Sequence, residues 1–199
     1  MRIFGIDPGS ERTGYGCVET DGRVARLVTF GAITAASRDA FPQRLAGIYR
    51  ELCTQLAACQ PDCVAIESLF HAMNARSALK LGHARGVAVL AAVEHGCPVV
   101  EYTPAAVKRA VVGYGRAEKH QVQQMIKLLL GLPRPPAPHD AADALAVAIC
   151  HLHSTGGPGS ASRNWAAAVD PSNLRSQILN PRSSRRPRSW RQYRPPANG

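Results

Sequence analysis

The stretch His139-Asp140-Ala141-Ala142-Asp143-Ala144-Leu145-Ala146-Val147-Ala148 restricts the fold of this chain more than any other. Small and aliphatic residues dominate it and Gly and Pro are absent, so it has the propensity of a helix, starting just after Pro138. A helix this apolar has to be buried. Asp140 and Asp143 are three residues apart and therefore share a face. With a start at Pro138 or His139, both fall in the first turn, where the helix macrodipole favours a carboxylate. Taken alone, the pair reads most simply as helix-capping acids. Burial changes that balance, because two carboxylates held against a core need cations or a metal beside them.

Charge divides the 199 residues into two parts. Of the 24 Lys and Arg and 14 Asp and Glu, residues 1–153 hold 16 and 13, whereas residues 154–199 hold 8 Arg against the single acid Asp170. The second part is also rich in Gly, Ser, Pro and Asn, with no apolar periodicity. This composition predicts a disordered basic tail behind one domain over 1–153. Trp165, Trp190 and Tyr193 within the tail could stack on bases or be incidental. A basic excess points to polyanionic partners, nucleic acid before membrane. No run reaches membrane-spanning length and the N-terminus lacks an apolar signal core, so the expectation is a cytoplasmic protein with no membrane partner. The 6 cysteines contain no CxxC pair, which favours reduced structural thiols over zinc or a disulfide framework.

Taken in order, Arg2–Asp7, Thr13–Glu19 and Val24–Ala32 read as three strands of an antiparallel meander, with a hairpin turn at Asp21-Gly22. Leu45, Ile48, Leu52 and Leu56 mark an amphipathic helix over 41–58. Cys63–Glu67 is a short buried strand. Asn74–His95 is a long helix that is apolar on nearly every side, which predicts cover on more than one face. Its Gly82 and Gly86 would permit close backbone approach. Val99–Tyr102 is a fifth strand, Thr103-Pro104 caps and opens another helix, and a further helix spans 118–130. Strands followed by alternating helix and strand make an α/β sheet with helices packed on it.

Asp7 ends the first strand before a Pro-Gly turn, and Glu67 ends the fourth. Singly these are a turn former and a strand end. If the two strands are neighbours, both acids converge on Asp140 and Asp143, and an all-oxygen set of this kind suits Mg²⁺ or Mn²⁺ rather than zinc. Two such ions about 4 Å apart can drive phosphodiester hydrolysis.

Gly5-Ile6-Asp7-Pro8-Gly9 with Thr13-Gly14-Tyr15-Gly16 resembles the opening of the RuvC-type Holliday-junction resolvases. So do Ile66-Glu67-Ser68-Leu69-Phe70, Ser77–Gly82, Ala84–Ala88, Val111-Val112-Gly113, Ala117-Glu118-Lys119 and Asp140–Ala146, in the same order. The resemblance implies an α/β, RNase H-like fold with a mixed five-stranded sheet flanked by helices. It implies a homodimer that resolves four-way DNA junctions by paired symmetric nicks in recombination and repair, with two Mg²⁺ per subunit and Mn²⁺ as a substitute. Asp7, Glu67, Asp140 and Asp143 match the family's metal-binding catalytic acids. Lys108 and Lys119 match its assisting bases at the scissile phosphate, and Phe70 matches an aromatic that stacks on unpaired bases. A RuvA–RuvB branch-migration complex is a further partner implied by the resemblance. His83 stands where the family usually has Gln, and His139 adjoins a position that some relatives fill with His. Two rivals remain at this level: a sugar-kinase-like ATPase, which shares the Gly-Ile-Asp opening, and a non-catalytic junction binder.

Overall fold

A computed structural model describes residues 1–36, 38–68 and 74–155. Phe70 and the basic tail, apart from Ser154 and Thr155, lie outside the described residues. Ten elements follow one another: β1 (Arg2–Asp7), β2 (Arg12–Thr20), β3 (Ala25–Thr34), α1 (Phe41–Cys59), β4 (Cys63–Glu67), α2 (Ala75–Glu94), β5 (Val99–Tyr102), α3 (Pro104–Val112), α4 (Lys119–Leu129) and α5 (His139–Thr155). The strands form one sheet in the order β3-β2-β1-β4-β5. β1, β2 and β3 are the expected antiparallel meander, while β4 and β5 run parallel to β1. The β2–β3 turn closes through Asp21, whose Oδ1 accepts from the backbone of Arg23 and Val24 at 2.9 and 3.0 Å, with Gly22 at a positive φ of 90°.

Alternation along the strands sorts the core into two layers. Phe4 and Ile6 of β1 and Val64 and Ile66 of β4 join Ile48, Leu52 and Leu56 of α1 and Ala88, Ala91 and Ala92 of α2. On the other face Ile3, Val18 and Ala65 meet Val107 and Val111 of α3, Val122 and Ile126 of α4, and the length of α5. Because side chains alternate with a period of two, Asp7 (two after Gly5) and Glu67 (two after Ala65) both project to the α5 face. Sequence and register together therefore decide which layer the acids join.

α5 lies unusually close to the sheet. A Cβ on Gly5 would sit 2.0 Å from the Ala144 carbonyl, one on Gly14 1.9 Å from the Asp140 carbonyl, and one on Gly16 2.6 Å from Leu145 Cδ2. Gly5 pairs with Gly16, and Gly14 with Asp7, so the three glycines form one bare patch across β1 and β2. The helix answers with Ala141, Ala144 and Ala148, all fully buried. Glycine in a strand interior weakens the strand, and close approach of another backbone is what makes it worth keeping here.

Two expectations need correction. α5 begins at His139, so Asp140 lies in its first turn but Asp143 falls in the second. Its carboxylate is therefore placed by the face of the helix rather than by capping. α2 is covered on one face only: Ala84, Ala88, Ala91 and Ala92 are buried, whereas Leu79, Leu90 and Val93 are 65%, 51% and 59% exposed. Apolar character all round identified a helix without solvent-loving faces, but not which face this chain covers. A methyl group added at Gly82 or Gly86 would meet nothing within 4 Å. All 6 cysteines are free thiols, and every one except Cys53 is buried.

The glycine patch gives a direct stability test. Gly5→Ala should destabilise the protein by about 1–3 kcal/mol or more, since the added methyl meets backbone that cannot rotate away. Gly47→Ala in α1, where nothing lies within 4 Å, should be neutral or stabilising by up to about 1 kcal/mol. Chemical denaturation of the two variants side by side checks the contrast.

Candidate active site

The acids owe their positions to three separate pieces of local structure. The β1–β2 turn that follows Asp7 is closed by the buried Thr13, whose Oγ1 donates to the Gly9 carbonyl at 2.8 Å and accepts from the Gly9 amide at 3.3 Å. β1 and β4 are in parallel register at Ile6 and Ile66, so Asp7 and Glu67 follow side by side at the ends of adjacent strands. α5 then brings Asp140 and Asp143 over this edge. All four acids expected from the sequence are thus gathered at one end of the sheet.

The environment of Asp7 measures how crowded the cluster is. Burial, then the negative charges of Glu67 and Asp143, push its carboxyl up to about 8. Glu67 is also raised, first by burial and then by Asp143, with Lys119 and Lys108 opposing. The other two acids lean on cations. Asp143 Oδ2 lies 3.4 Å from Lys119 Nζ, and Asp140 Oδ2 lies 3.5 Å from Arg12 Nη1. Both pairs are long and partly exposed, which makes them weak. Lys119 is held up by its neighbour Asp143. It stands at the first position of α4, where the macrodipole disfavours a cation, so the acid cluster is what rewards its placement. Lys108 sits on α3 behind the Thr103 cap, where Thr103 Oγ1 accepts from the Ala106 amide at 3.2 Å.

Among the described residues, no three His, Cys, Asp or Glu side chains are already drawn together as a metal would hold them. Asp140 and Asp143 are instead paired with Arg12 and Lys119. The donor set still fits a hard divalent cation, because every donor is a carboxylate oxygen. His139 is exposed at the start of α5. Arg12 went unnoticed in the sequence, where an Arg after a Gly-Ser-Glu turn carries no signal; only its position opposite Asp140 reveals it. Gly5, Gly14 and Gly16 were also missed, although glycine repeated inside strands was a readable sign of backbone approach.

The family model for crossover junction endodeoxyribonuclease RuvC matches residues 3–151. The chain belongs to the RuvC family. A RuvC of Koribacter versatilis is 57% identical over 157 residues, covering 78% of this chain and 94% of that protein. One from Alkaliphilus metalliredigens is 56% identical over 154 residues, covering 77% and 94%. Thermus thermophilus RuvC in complex with a Holliday junction substrate is similar in structure, with a TM-score of 0.72 and 35% identity over 76% of this chain and 92% of that one. The RNase H-like fold implied by the sequence is therefore the fold of this RuvC family member. The match ends close to the end of α5, leaving the basic tail outside it.

Asp7 gives the stability of the metal-free protein a pH dependence. Its folded value near 8 lies above its ordinary 3.8, so the folded state binds the proton more tightly than the unfolded chain does. The stability it contributes is fully present below about 4 and is lost as pH rises through about 8. In chelator, the melting temperature should fall across this window, and Asp7→Asn should flatten the decline. A wild-type melting temperature that rises from pH 5 to 8 would contradict it.

Proposed function

We propose that this chain is a structure-selective endonuclease that resolves four-way DNA junctions by metal-assisted hydrolysis of phosphodiester bonds. It belongs to a family of metal-dependent crossover junction endodeoxyribonucleases. The observation that carries the reading is the convergence of Asp7 and Glu67, from adjacent strand ends, with Asp140 and Asp143 of α5. A carboxylate cluster facing a polyanion repels it, so a protein that only bound junctions would gain nothing from this arrangement. The kinase-like rival requires a second domain to close over ATP, and the described residues form a single sheet.

In this reading Asp7, Glu67, Asp140 and Asp143 hold two Mg²⁺ ions, for which Mn²⁺ can substitute. When bound, such ions supply the charge that activates a water and offsets the leaving oxygen. The chain's own part is positional. The strand ends would hold the Asp7 and Glu67 carboxylates in place for such ions, and α5 would set their distance from the helical pair. Lys119 and Lys108 hold the phosphate's oxygens once Asp143 no longer occupies Lys119. Phe70, just beyond β4, is the stacking residue at the crossover. Asp7→Asn, Glu67→Gln and Asp143→Asn should each lower cleavage of a synthetic junction in Mg²⁺ by more than about 100-fold, while junction binding survives or tightens. Near-normal nicking by any of them would remove that residue from the site.

Paired symmetric nicks need two active sites, and a two-fold homodimer supplies them. The exposed stripe Leu79, Gly82, Gly86, Leu90 and Val93 on α2 is the surface for the second copy, because apolar and small residues recur along it at helical spacing. Leu90→Glu should give monomers by sedimentation, and an unchanged dimer would place the interface elsewhere. The 154–199 segment, with 8 Arg and 1 acid, adds sequence-independent affinity by counterion release. Cutting after Thr155 should weaken junction and duplex binding alike and flatten both salt dependences; an unchanged slope would overturn that role. Among the described residues no helix is long and apolar enough to cross a membrane; we infer a cytoplasmic location from the proposed DNA substrate. A RuvA–RuvB branch-migration complex would then deliver the junction.

A further inference from the structure

Beside Asp140 an open cleft of about 810 Å³ runs along the β1–β2 turn, bordered by Gly9, Ser10, Glu11, Arg12, Arg38 and Asp140, and neither Lys108 nor Lys119 borders it. Arg12 stands at its mouth with its side chain 49% exposed and, among the described residues, one polar contact, at 3.5 Å, to Asp140. A guanidinium carries five donors in a planar fork, so this contact leaves most of them uncommitted. Arg38 is 90% exposed and reaches Asp39 only at 4.0 Å. Under the turn, Arg44 donates from Nη2 to the Ser10 carbonyl, and its buried Nε has no hydrogen-bond partner among the described residues. The turn thus rests on fixed positive charge. At the cleft itself Arg12 and Arg38 stand against Glu11 and Asp140, and the Arg44 guanidinium lies beneath the turn.

A DNA strand cannot end at the acids; it must leave on both sides of the phosphate they act on. On one side it meets Lys108 and Lys119. On the other, Asp140 borders the arginine cleft directly. The planar fork of Arg suits a phosphate better than a carboxylate at 3.5 Å, because both of its edges can engage the phosphate's oxygens. We propose that Arg12, with Arg38 on the same cleft, is a subsite for a phosphate of the cleaved strand adjacent to the scissile one, and hence a positioning residue for cleavage. The proposal rests on the nuclease reading above. In the DNA-free protein the Asp140 contact keeps the fork at the cleft mouth; an arriving phosphate takes it over.

The test pairs Arg12→Gln and Arg12→Lys with four-way junctions carrying one uncharged methylphosphonate at successive positions around the cut. Affinity is measured in chelator with the full chain, and thermal melts confirm that the variants fold. Arg12→Gln should bind the unmodified junction roughly tenfold more weakly and lower the log–log salt slope by about 0.7–0.9, with Arg12→Lys in between. One methylphosphonate next to the scissile phosphate should weaken the wild type by a similar factor and leave Arg12→Gln unaffected. If the effects of Arg12→Gln and of every methylphosphonate simply add, or if the salt slope is unchanged, Arg12 only neutralises Asp140 and the subsite is overturned. Wild-type protein that neither binds nor cuts the junction would instead overturn the nuclease reading, and this proposal with it.

Discussion

The approach of α5 to the glycine patch of β1 and β2 is the constraint on which the rest depends. Helices normally stand off a sheet by the thickness of their side chains. Here the Asp140 and Ala144 carbonyls lie where the β-carbons of Gly14 and Gly5 would otherwise be. The alanines of α5 make this possible from the other side. The consequence is chemical as well as mechanical: with ordinary side chains between them, the helix acids would stand farther from the strand acids. The same contact buries the length of α5 from Ala141 to His151, so the element that carries half of the carboxylates is also the central strut of one core layer.

Holding acids this close without metal has an electrostatic cost that the structure makes visible. Asp7 keeps its proton to about pH 8, and Asp140 and Asp143 turn to Arg12 and Lys119 through long contacts. These are weak pairs by geometry and exposure, which suits groups that must change partners. Under the function proposed above, Arg12 and Lys119 would exchange these acids for phosphate when DNA arrives. A tight, buried pair at either position would hold the acid and resist that exchange.

Most of the fold could be read from the chain itself. Hydrophobic periodicity and the Thr103-Pro104, Asn74 and Asp21-Gly22 signals located every strand, and the start of every helix, to within two residues. The strand-end positions of Asp7 and Glu67 and the i, i+3 spacing on α5 pointed to one site before any geometry was known. What escaped notice depended on tertiary context. Gly82 and Gly86 drew attention as a helix motif yet touch nothing in this chain, whereas Gly5, Gly14 and Gly16 make the decisive contacts. Arg12 had no local signature at all, because its meaning comes from a residue 128 positions away. The uncovered face of α2 was hidden for a similar reason: apolar composition reports that a face avoids water, not whether this chain or another covers it.

The central claim is that the strand acids and the helix acids form a single metal site because α5 is pressed into the sheet. Titration of Mn²⁺ into the DNA-free protein, followed by the loss of its free-ion electron paramagnetic resonance signal, tests this without relying on cleavage. Wild type, Asp7→Asn, Asp143→Asn and the double variant complete a cycle. One shared site predicts that each single substitution abolishes nearly as much binding as the pair together. Independent, additive losses, or undiminished binding in either single variant, would show that the two sets of carboxylates do not act as one.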